Sequence, residues 1–234
     1  MHLDTPCAKR PLLRHRDNTN LHLHDLPTSD GLPVMLALGA FIREYLFRLK
    51  QTIDLVLDQH CRMMLAFRVD LRLQVSIDLP DYAYTNEVIS RFIDSFKAKI
   101  EHNRVKARQR NPYAHDSKVR YVWVREIGEM GRPHYHLLIL LNQEAYYTVG
   151  WLKSKASNIN NRMKEAWASA LVLSVDDVRG LVNIPPNAEY RIYRNVRPGD
   201  VDELPALFFR ASYLCKAATK SYGDNHHGFG CSRG

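Results

Sequence analysis

The stretch "VRYVWVREIGEMGRPHYHLLILLN", residues 119–142, decides the fold. Two runs of β-branched, aromatic and aliphatic residues, 119–127 and 133–142, flank the short link "GEMGR". Long apolar runs on either side of a brief glycine-containing link predict a β-hairpin. The second run is apolar at alternate and at intervening positions, as a central strand requires. Side chains alternate across a strand, so His134 and His136 share a face. Leu138 and Leu140 continue that face, and Tyr135, Leu137, Ile139 and Leu141 fill the other. Directly opposed residues of an antiparallel pair also share a face. The first strand can therefore bring Glu126 against His134 or His136, while Tyr121 and Trp123 alternate to the opposite, core-forming side.

Working outward, residues 64–75 ("MLAFRVDLRLQV") alternate Leu65, Phe67, Val69, Leu71 and Leu73 against Arg68, Asp70 and Arg72. They read as a half-buried strand. Three- and four-residue apolar spacing predicts helices at 35–58 and at about 86–108, 158–172 and 201–220. Short strands are expected near 180–184 and within 185–200. The order of elements predicts an α+β fold, a central antiparallel sheet with flanking helices. Residues 1–34 read as an extended arm and residues 223–234 as a loop-like tail.

Bulk properties narrow the function. The 234 residues carry 33 Lys and Arg against 25 Asp and Glu, a net charge of +8. That excess favours a polyanionic partner such as nucleic acid. No apolar run approaches the roughly 18 residues of a membrane span, and the first residues lack a secretory h-region. Cys7, Cys61, Cys215 and Cys231 form no CxxC pair and suit reduced thiols, so the expected location is cytoplasmic.

Two imidazoles at the mouth of a buried strand are costly unless hydrogen-bonded or ligated. With a carboxylate they form a candidate metal site. Glu126 is favoured as the third ligand by parity; Glu129, in the turn, is the alternative. Two nitrogens, one carboxylate and open positions suit Mg²⁺ or Mn²⁺ held for phosphate chemistry, with zinc a further option. A second His-x-His, His22 and His24 in "LHLH", has neither an apolar strand after it nor a carboxylate strand before it. It is expected to be solvated, as are His226 and His227. Arg132, beside the histidines, is a candidate phosphate contact, and the basic helix at 86–108 serves equally as a solvated face.

On the 201–220 helix, Leu204, Leu207, Phe208, Ala211, Cys215 and Ala218 form the core stripe. Tyr213 lies almost opposite, with Lys216 and Lys220 on its side. A surface tyrosine is the plain reading. The chemical one is a nucleophile: a phenol needs help to attack phosphorus, and a nearby ammonium favours the phenolate.

"RPHYHLLILL" and "YLCK" together resemble the His-hydrophobic-His and Tyr-x-x-Lys motifs of HUH endonucleases, a group that includes rolling-circle replication initiators, relaxases and related transposases. "LAFRVDLRL" stands where such initiators carry their first strand motif. The stretches "REIGEMGRPHYH", "FRASYLCKAATK" and "GFGCSRG" look most like the YagK/YfjJ-type prophage proteins, which are similar to inovirus gene II replication proteins. The likeness covers about residues 60–234. It implies an RNA-recognition-motif-like sheet and an endonuclease domain at 61–222, preceded by a helix within 35–60. It further implies Mg²⁺ or Mn²⁺ on His134, His136 and Glu126, and nicking and joining of single-stranded DNA or an origin hairpin to start rolling-circle replication of a phage, prophage or satellite element. Tyr213 would form a 5′-phosphotyrosine and Lys216 would assist. Ala217 stands where two-tyrosine members carry the second tyrosine, which points to the single-tyrosine type; Tyr222 is a weaker alternative nucleophile. With no Walker A loop in the chain, unwinding falls to a partner such as a host helicase. A DNA-binding initiator or regulator without the chemistry, and a single-tyrosine transposase or relaxase, remain as alternatives.

Overall fold

Among the described residues five antiparallel ladders build one main sheet, and two short ones stand apart from it. The computed structural model describes residues 13–59, 62–74, 77–128, 131–150, 158–220, 222–223 and 226–233. Short strands β1 (Leu23–His24), β2 (Thr28–Ser29), β3 (Leu32–Pro33) and β4 (Phe41–Ile42) precede helix α1 (Arg43–Gln59). Strand β5 (Met63–Leu71), helix α2 (Glu87–Arg110), strands β6 (Arg120–Ile127) and β7 (Pro133–Asn142) and helix α3 (Ile159–Leu171) follow. Strands β8 (Val182–Asn183) and β9 (Glu189–Tyr193), helix α4 (Leu204–Ala211) and strand β10 (Phe229–Cys231) complete the order. The main sheet runs β10-β6-β7-β5, and both β8 and β9 pair along the free side of β5. The fold is α+β, as the alternation of elements predicts.

The β6–β7 hairpin has the expected form. Its ladder runs from Arg120 opposite Leu140 to Ile127 opposite Pro133. Gly131 takes φ +70° at the turn, a conformation that favours glycine. On one face Phe67, Val69, Trp123, Tyr135 and Leu137 meet α2 and α3. The apolar stripe expected for α2 (Val88, Ile89, Phe92, Ile93, Phe96 and Ile100) is buried there. Trp167 of α3 is fully buried, and its indole N–H donates to the Arg72 carbonyl at 2.9 Å. Asn158 caps α3, accepting from the Asn161 amide, a contact worth about 1 kcal/mol.

The second face is also covered. Met64, Ala66, Val122, Val124, Leu138 and Leu140 pack against α1, α4 and the turn after it. Strand β5 is therefore buried on both faces from Met64 to Leu71, rather than half-buried. The helices hide what its polar residues would otherwise leave in water.

Three further expectations are corrected. The helix expected from residue 35 begins at Arg43, because Gly39 has φ +93° and Phe41 and Ile42 pair with β1. The helix expected through residue 220 stops at Ala211; one 3₁₀ turn covers Ser212–Cys215, and Lys216 is extended. The tail read as loop contains β10, which pairs with β6. Gly230 is required there: a Cβ would lie 2.5 Å from Trp123 Cε2. The arm is also partly built in. Residues 13–34 contribute β1 to β3, and Val34 is buried; residues 1–12 lie outside the described part, as do Cys7 and Cys61. Cys215 is a buried free thiol and Cys231 a half-buried one. Among the described residues no helix is long and apolar enough to cross a membrane.

Candidate metal centre

The site grows from the register of three strands. Glu126 on β6 lies directly opposite His134 on β7. His136 lies opposite Val124 on one side and opposite Asp70 of β5 on the other. All four polar side chains fall on the sheet face that α1 and α4 cover, beyond the end of its apolar part.

The two imidazoles converge. His134 Nε2 is 3.7 Å and His136 Nε2 3.5 Å from the same oxygen, Glu126 Oε2. The rings meet edge to face with centroids 4.9 Å apart. Both separations are longer than a good N–H···O bond. The three donor atoms lie within 4.8 Å of one another, the one His/Cys/Asp/Glu group with this property among the described residues. His226 and His227 are not part of it. Glu129, the alternative carboxylate, lies outside the described residues; among those described, Glu126 fills the carboxylate position.

The surrounding shell fits a ligating role. Asp70 Oδ1 is 2.6 Å from His136 Nδ1. That bond places a proton on Nδ1 and turns Nε2 to Glu126, so Nε2 is the nitrogen left to ligate once the ring is neutral, the arrangement of a carboxylate–histidine–metal relay. The other oxygen of Glu126 is held from the opposite side. Thr219 Oγ1 donates a short hydrogen bond to Oε1, and the Lys220 ammonium donates at 3.1 Å. Lys220 is buried, so this ion pair is shielded from water.

The charges respond to this packing. Burial alone would raise the Glu126 pKa, but His134, His136, Lys220 and Thr219 outweigh it and hold the carboxyl far below the usual range. Burial would lower His136, and the carboxylates of Asp70 and Glu126 instead raise it. Asp70 is lowered, because His136 and Arg68 overcome its own burial. Burial lowers Lys220 despite its partner Glu126.

Tyr213 sits at the edge of this cluster. Its ring meets that of His136 at 87° with centroids 5.5 Å apart. Lys216 Nζ donates to the Tyr213 hydroxyl at 3.1 Å and lies 4.1 Å from the ring centroid. The end of α4 at Ala211 explains both contacts. The 3₁₀ turn offers Tyr213 to the site, and the extended Lys216, bridged to Phe41, folds its side chain back. Lys220 does not flank Tyr213, as helical spacing had suggested; the broken helix sends it to Glu126 instead. Tyr222 is elsewhere, its hydroxyl 3.2 Å from that of Tyr45 and its pKa raised by burial. Arg132 is turned to the Gln74 carbonyl rather than to the histidines.

Asp70, Thr219 and Arg68 belong to the site without having been singled out in the sequence. Arg68 is buried and its guanidinium carbon is 4.9 Å from the Tyr213 ring centroid. For Arg68 and Asp70 the available signal was charged residues in an otherwise apolar strand; Thr219, in the turn region after α4, carried no such signal.

Comparison with known proteins places the whole domain. The YagK/YfjJ C-terminal domain matches residues 25–232. The Escherichia coli (strain K12) protein YfjJ, whose printed name calls it uncharacterized, is 35% identical over 203 residues, covering 84% of this chain and 97% of its own. YagK of the same strain, also uncharacterized by name, is 32% identical over 200 residues, covering 83% of this chain and 95% of its own. No solved structure matches the chain. On that breadth of match, the chain belongs to the YagK/YfjJ C-terminal domain family.

Proposed function

We propose that this protein is a single-tyrosine HUH-type endonuclease that nicks and rejoins single-stranded DNA to initiate rolling-circle replication of a phage, prophage or satellite element. The observation that carries the reading is one juxtaposition: two imidazole Nε2 atoms facing one carboxylate oxygen, with the Tyr213 ring packed against one of those imidazoles. His134, His136 and Glu126 would hold a divalent ion, Mn²⁺ or Mg²⁺, with coordination positions left for substrate. Such an ion, when bound, withdraws charge from a phosphate oxygen and stabilises what develops at phosphorus.

The chain supplies the rest. Tyr213 Oη attacks phosphorus, forming a P–Oη bond as the P–O3′ bond breaks. The phenolic proton passes to water, and the departing 3′-oxygen gains one. Lys216, already 3.1 Å from the hydroxyl, stabilises the phenolate as it forms. Asp70 keeps His136 in the tautomer that ligates. The 5′-phosphotyrosine preserves the energy of the broken bond, so a 3′-hydroxyl can later attack it and restore Tyr213. Strand separation would come from a partner such as a host helicase.

The test is adduct formation. Single-stranded DNA from the surrounding element, incubated with the full chain and Mn²⁺, is expected to give a denaturant-resistant protein–DNA species, with the mass increment on Tyr213. Tyr213→Phe should lose the adduct and keep DNA binding; a normal adduct from that variant refutes the assignment. Binding without an adduct, whatever the metal, would leave a DNA-binding initiator or regulator.

A further inference from the structure

Arg68 is a buried cation that the scheme above does not use. It follows Ala66 on the inward face of β5, lies opposite Leu138 and precedes Asp70 on the same face. Its residue is 8% exposed. A guanidinium offers five N–H donors in a rigid fork. Here the hydrogen bonding is sparse: Nη2 is 3.4 Å from Asp70 Oδ1, a long contact, and Nε has no partner among the described residues. Asp70 is meanwhile committed to His136 at 2.6 Å. The Tyr213 ring supplies a π-face at 4.9 Å but no acceptor.

Taking a guanidinium out of water with so few acceptors is unfavourable unless an anion completes its shell. Its position fixes which anion. The fork lies beside the ring of Tyr213, on the sheet face that also bears His136, and Lys216 lies on the hydroxyl of that same tyrosine. Two cations therefore touch Tyr213, and a planar fork matches two oxygens of a phosphate better than a point charge does.

We propose that Arg68 is the phosphate-binding residue of this site, its fork taking the two non-bridging oxygens of the DNA phosphate presented to Tyr213. The proposal rests on the nicking reading for its substrate class, but its test does not require nicking. Asp70 then has two tasks: it orients His136 and steadies the near end of Arg68.

The experiment measures binding of a fluorescein-labelled mixed-sequence single-stranded oligonucleotide to the full chain in Mg²⁺ across a salt series. Each neutralised phosphate contributes about 0.7 to the slope of log affinity against log salt for a single strand. Arg68→Gln is expected to flatten that slope by about 0.7 and to weaken low-salt binding about tenfold, whereas Tyr213→Phe leaves the slope unchanged. Arg68→Lys should keep the slope and still lose severalfold in affinity, because the fork is gone while the charge remains. If Arg68→Gln does not fold, Arg68→Lys alone decides, and wild-type affinity from it overturns the proposal. An unchanged slope and affinity in a folded Arg68→Gln protein also overturns it. If the wild-type protein binds through Arg68 but forms no adduct, the nicking reading fails and the anion site stands. If an adduct forms at the wild-type rate in Arg68→Gln, the anion site fails and nicking stands. Absence of DNA binding by the wild-type chain defeats both.

Discussion

The chain contains two His-x-His stretches of identical spacing, and they behave differently. His22 and His24 lie at the start of the fold, where β1 pairs with β4. Each is taken by its own partner. His22 Nδ1 is 2.7 Å from Glu44 Oε1, and His24 Nε2 is 3.0 Å from the Thr28 carbonyl. Neither is merely solvated, as the sequence had suggested, but the two rings are drawn to separate acceptors. His134 and His136 lie in a ten-residue central strand and turn both Nε2 atoms to one carboxylate oxygen. Spacing sets the face; what lies across the ladder decides whether two histidines become one site.

The comparison can be broken most sharply by metal titration. Replacing His134 and His136 with alanine should abolish Mn²⁺ binding seen by calorimetry, a loss of more than about a hundredfold, while His22→Ala with His24→Ala leaves it intact. Equal loss in both pairs would remove the distinction. A large effect on stability is expected at Lys220. Lys220→Met leaves Glu126 buried without its ammonium, which should cost about 3–5 kcal/mol in chemical denaturation without metal. Saturating Mn²⁺ should recover much of that loss; no recovery would mean that Glu126 is not a ligand.

A smaller change is expected from Asp70→Asn. Losing the carboxylate behind a ligating imidazole typically costs about 10–100-fold in metal affinity, with the fold retained. Wild-type affinity would show that the Asp70–His136 bond does not serve ligation.

Acidity gives a graded test with opposite signs. Without metal, the raised pKa of His136 contributes stability that is present below its ordinary value of 6.5 and lost as pH rises through the raised one. With metal, His136 must be neutral, so affinity should fall about tenfold per pH unit below that raised value. Glu126, held far below the usual range, adds no step there. Melting curves from pH 6.5 up to that raised value should therefore slope in opposite directions with and without Mn²⁺. The smallest effect belongs to the control pair: His22→Ala should lower stability by about 1 kcal/mol or less, since its pair with Glu44 is half-exposed.

Much of the site was legible because strand parity is a strong constraint. A residue's face follows from counting, and an antiparallel link as short as "GEMGR" leaves few registers. Counting alone brought Glu126 against His134 or His136, and the ladder pairs it with His134. Asp70 was counted to the right face of β5, with Arg68 and Arg72. Its neighbour was hidden, because nothing local specifies that β5 lies beside β7. The helix from 201 to 220 was misread for a different reason. Its apolar spacing continues past Ala211, but tertiary pairing of Lys216 with Phe41 overrides it. β10 carried too little signal, with three residues and a glycine chosen for Trp123 rather than for strand propensity.

That last strand has a consequence for how the molecule is made. Phe229 pairs with Val124, a partner 105 residues earlier (229 less 124). Contacts of such separation form late, since a long loop must close before they repay its entropy. During synthesis β6 therefore waits with one edge unpaired until residues 229–231 have left the ribosome. The strand that carries Glu126 is the last of the central strands to be sealed. In that interval its free N–H and C=O groups are the part of the nascent domain most open to pairing with another chain.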